Sequence, residues 1–103
     1  MKRLKRRYLA LQLDMPEVPS EKEFMDAIWG ALTQIYGEYG ASLANLALIN
    51  LDEEQKLAVV RVNLTVVNNF RAAIATITSI AGKDAAVHVL AVSGTIKALS
   101  KQL

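Results

Sequence analysis

Ala44-Asn-Leu-Ala-Leu-Ile-Asn-Leu-Asp-Glu-Glu-Gln-Lys-Leu-Ala-Val-Val-Arg-Val-Asn-Leu64 is the stretch that decides the fold. Ala44 to Leu51 reads as a strand, and Leu57 to Leu64, rich in the β-branched residues Val59, Val60 and Val62, reads as a second. The polar segment Asp52-Glu-Glu-Gln55 between them has the usual length of a hairpin loop. In the second strand Ala58, Val60, Val62 and Leu64 fill one face, and Val59 shares the other with Arg61 and Asn63. In the first, Leu46 and Leu48 alternate with Ala47, Ile49 and Leu51, so both faces of this hairpin carry apolar side chains.

Upstream, Arg7 to Leu13 sets Leu9, Leu11 and Leu13 against Tyr8, Ala10 and Gln12, the period of two of a strand with one apolar face. Met15-Pro-Glu-Val-Pro19 breaks it. Ser20 and Glu23 have the spacing of a capping box, and Glu21, Glu23 and Asp26 lie where the helix dipole favours carboxylates. Phe24, Ala27, Ile28, Ala31, Leu32 and Ile35 make the core stripe of that helix, and Gly37 and Gly40 bracket its end. Downstream, Phe70, Ala73, Ile74, Ile77 and Ile80 recur at helical spacing until Gly82. Val87 to Val92 is a fourth apolar strand, and Ser93-Gly94-Thr95 turns the chain into a short helix, Ile96 to Gln102.

The order β-α-β-β-α-β plus a terminal helix predicts an α+β, ferredoxin-like (RRM-like) sandwich, with two helices on one face of an antiparallel four-stranded sheet. Right-handed crossovers put the first and third strands at its centre. The 103 residues suffice for one such domain, with residues 1–6 expected to form a flexible basic tail. A composition 52% hydrophobic and 21% charged suits a soluble, well-cored protein. No apolar run approaches the ~20 residues of a membrane span. The basic start resembles a signal n-region, but Asp14, Pro16 and Glu17 cut the apolar stretch short, so export is not expected. The absence of cysteine removes disulfides and thiol chemistry and fits a reducing, cytoplasmic location.

The net charge of +2 hides a pattern. Lys2, Arg3, Lys5, Arg6 and Arg7 give residues 1–13 a charge of +5. Residues 14–54 set nine carboxylates against Lys22, and residues 55–103 set six basic side chains against Asp84. If the fold joins the two basic ends, they form a patch for a polyanion.

Catalytic chemistry has little to stand on. The only histidine, His88, lies inside a strand, where a structural role is the commoner one. No Cys–His or carboxylate–His spacing suits a metal, and Asp52, Glu53 and Glu54 read as a solvated hairpin tip. No glycine-rich loop has phosphate-cradle spacing. No catalytic residue, metal site or cofactor is therefore assigned to the chain.

Binding chemistry is better represented. Strand three has no aromatic residue and strand one only Tyr8, so RNA contact would rest on phosphates, sugar hydroxyls and shape rather than on base stacking. Two segments offer such contacts. One is the basic run Lys2, Arg3, Lys5, Arg6 and Arg7. The other is the turn Ser93-Gly94-Thr95 with Lys97 and Lys101, where amides and hydroxyls at a helix start can hold an anion, although Ser93 or Thr95 also reads simply as a cap and Gly94 as a positive-φ turn. Two helices cover one sheet face only, so the terminal helix or a protein partner must cover the other, with Leu46, Leu48 and Val59 as candidate interface residues.

Taken together, Arg7-Tyr8-Leu9, Ile35-Tyr36-Gly37-Glu38, Val59-Val60-Arg61-Val62, Phe70-Arg71-Ala72-Ala73-Ile74 and above all Val89-Leu90-Ala91-Val92-Ser93-Gly94-Thr95-Ile96-Lys97-Ala98-Leu99 resemble the archaeal ribonuclease P component 2 family, related to small ribonuclease P/MRP subunits. The resemblance implies a ferredoxin-like fold and a place in the ribonucleoprotein that removes the 5′ leader of precursor tRNA. It implies that the RNA subunit performs the Mg²⁺-dependent cleavage. It further implies that the protein pairs with a larger barrel-fold subunit, self-associating within a two-plus-two assembly. Two readings from other classes compete: a small-molecule-binding regulatory module of the same fold, and a purely structural protein-interaction subunit. Incubated alone with precursor tRNA and Mg²⁺, the purified chain is expected to leave the substrate intact; cleavage that persists through RNase-free repurification would contradict this.

Overall fold

The computed structural model describes residues 5–103. Four strands, β1 (Arg6–Asp14), β2 (Ala47–Asp52), β3 (Leu57–Asn63) and β6 (Ala86–Ser93), form one sheet in the order β2-β3-β1-β6, with every neighbouring pair antiparallel. Helices α1 (Glu21–Ser42) and α2 (Val67–Ala75) pack on one face and α3 (Ile96–Gln102) on the other; Ser79–Ile80 (β4) and Lys83–Asp84 (β5) make a separate small hairpin. The ferredoxin-like order and the central places of the first and third strands are as the sequence predicts.

Period two does its work in β1. Leu9, Leu11 and Leu13 are buried with Ala58, Val60 and Val62 of β3 under Phe24, Ile28, Phe70 and Ile74 of the helices. The alternate residue Ala10 is also buried, by Ala91 and Leu99, with Tyr8 and Val59 packed around them. The terminal helix thus covers the centre of the second face, through one leucine.

The capping box of α1 is complete: Ser20 Oγ accepts from Glu23 N at 3.1 Å, and Ser20 N donates to Glu23 Oε1 at 3.0 Å. These bonds, backbone first, hold the Glu23 carboxyl below the usual carboxylate range. Because the folded value is the lower one, the contribution of Glu23 to stability is present above its ordinary pKa and lost as pH falls through the lowered value.

Ile35 and Leu64, read from the sequence as core-facing, are exposed, and the elements themselves depart from the sequence expectations in four places. The first helix does not end at Gly37: the chain passes through Gly37 at φ 74°, kinks, and resumes as helix to Ser42. Gly40 then sits where a Cβ would come within 2.8 Å of Tyr36 Cβ, so glycine permits that continuation. The second helix stops at Ala75, not at Gly82. Thr76, Ile77 and Thr78 are β-branched and disfavour helix, and Thr76 Oγ1 turns back to donate to Ala73 O at 2.7 Å. Ile77 and Ile80 are buried all the same, Ile80 through the hairpin whose turn residues Ala81 and Gly82 both have positive φ. Third, β1 begins at Arg6, which pairs with Asn63, and Lys5 O accepts from Leu64 N at 2.8 Å, so the expected tail does not extend to residue 6.

Fourth, β2 does not alternate evenly. An irregularity between Leu48 and Asn50 makes Ile49 the extra residue. Leu46, Leu48 and Leu51 consequently all pack against the helix-side core, while Ile49 is exposed. Leu51→Ser is expected to cost about 1–2 kcal/mol, a half-buried share of the usual large-to-small penalty, and Ile49→Ser less than about 0.5 kcal/mol. Urea melts of the two variants check this, and equal losses would place both residues on one buried face.

Candidate nucleic-acid interface

Antiparallel pairing sorts the charges. β1 starts where β3 and β6 end: Arg6 pairs with Asn63, Tyr8 with Arg61 on one side and with Ser93 on the other. Lys5, Arg6, Arg7 and Arg61 therefore share one end of the sheet with the entry to α3 and its Lys97. At the other end lie Asp14, which pairs with Ala86, the hairpin tip Asp52 to Glu54, Glu17 and Asp84, together with Lys56 and Lys83. Two basic segments with 85 residues between Arg7 and Ser93 in sequence are neighbours in space because β1 and β6 are neighbours in the sheet.

The contact between them is direct. The Arg7 guanidinium lies over Gly94: a Cβ there would stand 3.5 Å from Arg7 Nη1 and 3.8 Å from Cζ. Arg7 Nη1 also donates to Arg6 O at 2.9 Å. Gly94 itself does not have positive φ, so the expectation that glycine is needed there for backbone conformation is corrected. A Cβ at this position would meet the arginine at ordinary van der Waals distance, so the site does not demand glycine for space either.

The hydroxyls of the turn are already engaged. Thr95 Oγ1 caps α3 by accepting from Ala98 N at 3.1 Å, and the buried Ser93 Oγ accepts from Thr95 N at 3.4 Å. The capping role read from the sequence is thus present, and the cationic groups near the turn are Arg7 and the exposed Lys97, with the exposed Lys101 further along α3. Lys2 and Arg3 lie outside the described residues. Lys5 and Arg6 are exposed. Among the described residues the one salt bridge joins Lys83 Nζ to Glu17 Oε2 at 3.1 Å, at the acidic end, so none involves Lys5, Arg6, Arg7, Arg61 or Lys97.

Of the candidate partner residues, Leu46 and Leu48 are half-buried against the helix-side core and Val59 against the Leu99 cluster. Exposed apolar side chains include Trp29, Ile35, Tyr39 and Leu43 in and just after α1, with Ile49, Leu64, Leu90, Ile96 and Leu103 scattered over other elements. A cleft of about 730 Å³ opens at the acidic end between Asp14, Met15, Ile77 and Asp84. His88 is exposed on β6, and no three His, Asp or Glu side chains among the described residues converge as a metal site would require. Asp52 Oδ1 accepts from Glu54 N and Gln55 N, which builds the hairpin turn. Arg61 and Asn63, which the sequence reading noted on a strand face without assigning them a role, stand inside the basic end.

The sequence from residue 7 to residue 103 matches the model of the Rpp14/Pop5 family. Relatives named ribonuclease P protein component 2 share 39% identity in Thermococcus gammatolerans over 97% of this chain and 83% of the relative. The Pyrococcus abyssi protein shares 34% over 95% and 83%, and the Methanosarcina barkeri protein 35% over 92% and 69%. In structure, the chain is similar to one chain of the yeast ribonuclease MRP assembly solved by cryo-electron microscopy, with a TM-score of 0.74 over 92% of this chain and 78% of that one. At 21% identity this likeness shows the fold.

Thr95→Ala should lower stability by about 1 kcal/mol through loss of the cap, while Lys97→Ala leaves it unchanged, since a surface lysine seldom holds a fold together. Gly94→Ala should fold normally. Thermal melts that rank Lys97→Ala below Thr95→Ala would overturn this division of roles.

Proposed function

Because the chain belongs to the Rpp14/Pop5 family, we propose that it is an RNA-binding protein subunit of ribonuclease P, supporting the catalytic RNA in 5′ maturation of precursor tRNA. The observation that carries this reading is the basic end of the sheet, where the start of β1 meets the start of α3 and where no salt bridge forms among the described residues. Such a surface attracts a polyphosphate backbone and releases its counterions, giving salt-dependent binding with little sequence preference. It supplies no nucleophile and no acid–base pair, so the hydrolysis belongs to the RNA. Any Mg²⁺ requirement is assigned to that RNA, and this chain takes no cofactor of its own.

The proposed partners are ribonuclease P RNA and a larger barrel-fold protein subunit, with self-association within a two-plus-two assembly and a cytoplasmic location. No helix among the described residues is long and apolar enough to cross a membrane. The apolar side chains around α1 leave surface for protein contact on the side away from the sheet's second face. Of the competing readings, the regulatory module would need a ligand in the acidic cleft, and neither it nor a purely structural role has a use for a basic cluster.

Binding measured across salt concentrations with ribonuclease P RNA, precursor tRNA and an unrelated duplex tests the reading. The expected result is measurable affinity for the first two and a steep log–log salt slope. Replacing Lys2, Arg3 and Lys5 together by Ala should shallow that slope by up to about 0.7–0.9 per lost phosphate contact. Binding that is absent, or insensitive to salt, would overturn the proposal.

A further inference from the structure

Arg61 is a costly residue where it stands. It stands near the end of β3, between Tyr8 of β1 and Ala47 of β2 in the cross-strand register. It is half-buried, and its Nε is closed off from solvent without a hydrogen-bond partner. No carboxylate is within salt-bridge reach. A desolvated donor left unpaired works against folding. Its neighbour Asn63 has a related defect: Nδ2 donates to Leu43 O at 2.8 Å, which fixes the amide, while Oδ1 is buried and unpaired. These are two of only three such unpaired side-chain atoms among the described residues. Both lie on the sheet face opposite α1 and α2, two residues apart on one strand.

Arg6 lies across from Asn63 and diagonal to Arg61 on the same face, at the ~7–8 Å separation of diagonal neighbours. Like charges at that spacing repel. An apolar or neutral residue at position 61 would continue the alternation of β3 without a charged group beside Arg6. Departures from local consistency of this kind concentrate where function demands them.

We propose that Arg61 and Arg6 form a phosphate-contact site on the sheet face itself, engaging the backbone of an RNA strand that crosses β1 and β3 beside α3. The proposal rests on the RNA-binding reading above and extends it from the chain's amino-terminal segment and the α3 turn to the open sheet. The buried Nε of Arg61 has no hydrogen-bond partner within the protein. Lifting onto a phosphate gives its donors charged acceptors and lets one anion offset the repulsion between two cations. Asn63, held by Leu43 O, walls the site on the side away from Tyr8.

The signature separates function from structure, because a residue kept for the fold and a residue kept for RNA move stability in opposite directions. In Arg61→Met the thermal midpoint should hold or rise, while affinity for ribonuclease P RNA falls several-fold and the salt slope drops by roughly 0.7–0.9. Arg61→Lys should recover most of the slope. Arg71→Met, on the exposed side of α2, is the matched control and should change neither affinity nor slope. A lower midpoint for Arg61→Met would mark Arg61 as structural and overturn the proposal, as would wild-type affinity and slope. If wild-type protein fails to bind RNA, the functional reading falls first. If wild type binds and only the variants in the amino-terminal segment lose affinity, the sheet-face site alone is wrong.

Discussion

Everything distinctive about this molecule depends on β1 being paired on both sides, antiparallel to β3 and antiparallel to β6. Antiparallel pairing aligns the start of one strand with the ends of its neighbours. Arg6 and Arg7 at the start of β1 must therefore lie near Asn63 at the end of β3 and Ser93 at the end of β6. The carboxylates that follow β1, precede β3 and precede β6 collect at the opposite edge. A net charge of only +2 becomes an electrostatic axis along the sheet, and the polarity comes from topology rather than from composition.

The same central strand explains how a small domain covers a sheet that has helices on one face only. Leu9, Leu11 and Leu13 build the main core, and Ala10, facing the other way, lets α3 approach closely enough for Leu99 to seal against Ala10 and Ala91. A seven-residue helix has little stability of its own. It is held by its Thr95 cap at one end and by Leu99 in the middle. Because α3 leaves the sheet at Ser93, its anchoring on Ala10 and Ala91 fixes the position of the turn that Arg7 overlies. Core packing and the binding surface are thus one piece of construction.

Much of this was legible in the amino-acid sequence where a single strong period dominated: the alternating leucines of β1, the Ser20–Glu23 box, the hairpin around Asp52 and the limits of α3. What escaped it were features in which one residue breaks a period. The extra residues Ile49 in β2 and Leu90 in β6 arise from fitting twisted strands to their neighbours, a property of the pair and not of either segment. Ile77 and Ile80 kept helical spacing by coincidence, and the local signal against it was the β-branched run from Thr76 to Thr78. At the site, each basic segment was visible alone. That Arg7 rests on Gly94, and that Arg61 stands diagonal to Arg6, follows from register, which sequence patterns fix only through the completed sheet.

The central claim is that RNA is read by the basic end of the sheet and the entry to α3. Titration of isotope-labelled protein with ribonuclease P RNA, followed by backbone amide chemical shifts, tests it most directly. Shifts concentrated at residues 5–8, 61–63 and 93–97, with the region around Asp14, Asp52 to Glu54 and Asp84 unmoved, are the result predicted here. Shifts centred on that acidic end, or on α1 and α2, would contradict it.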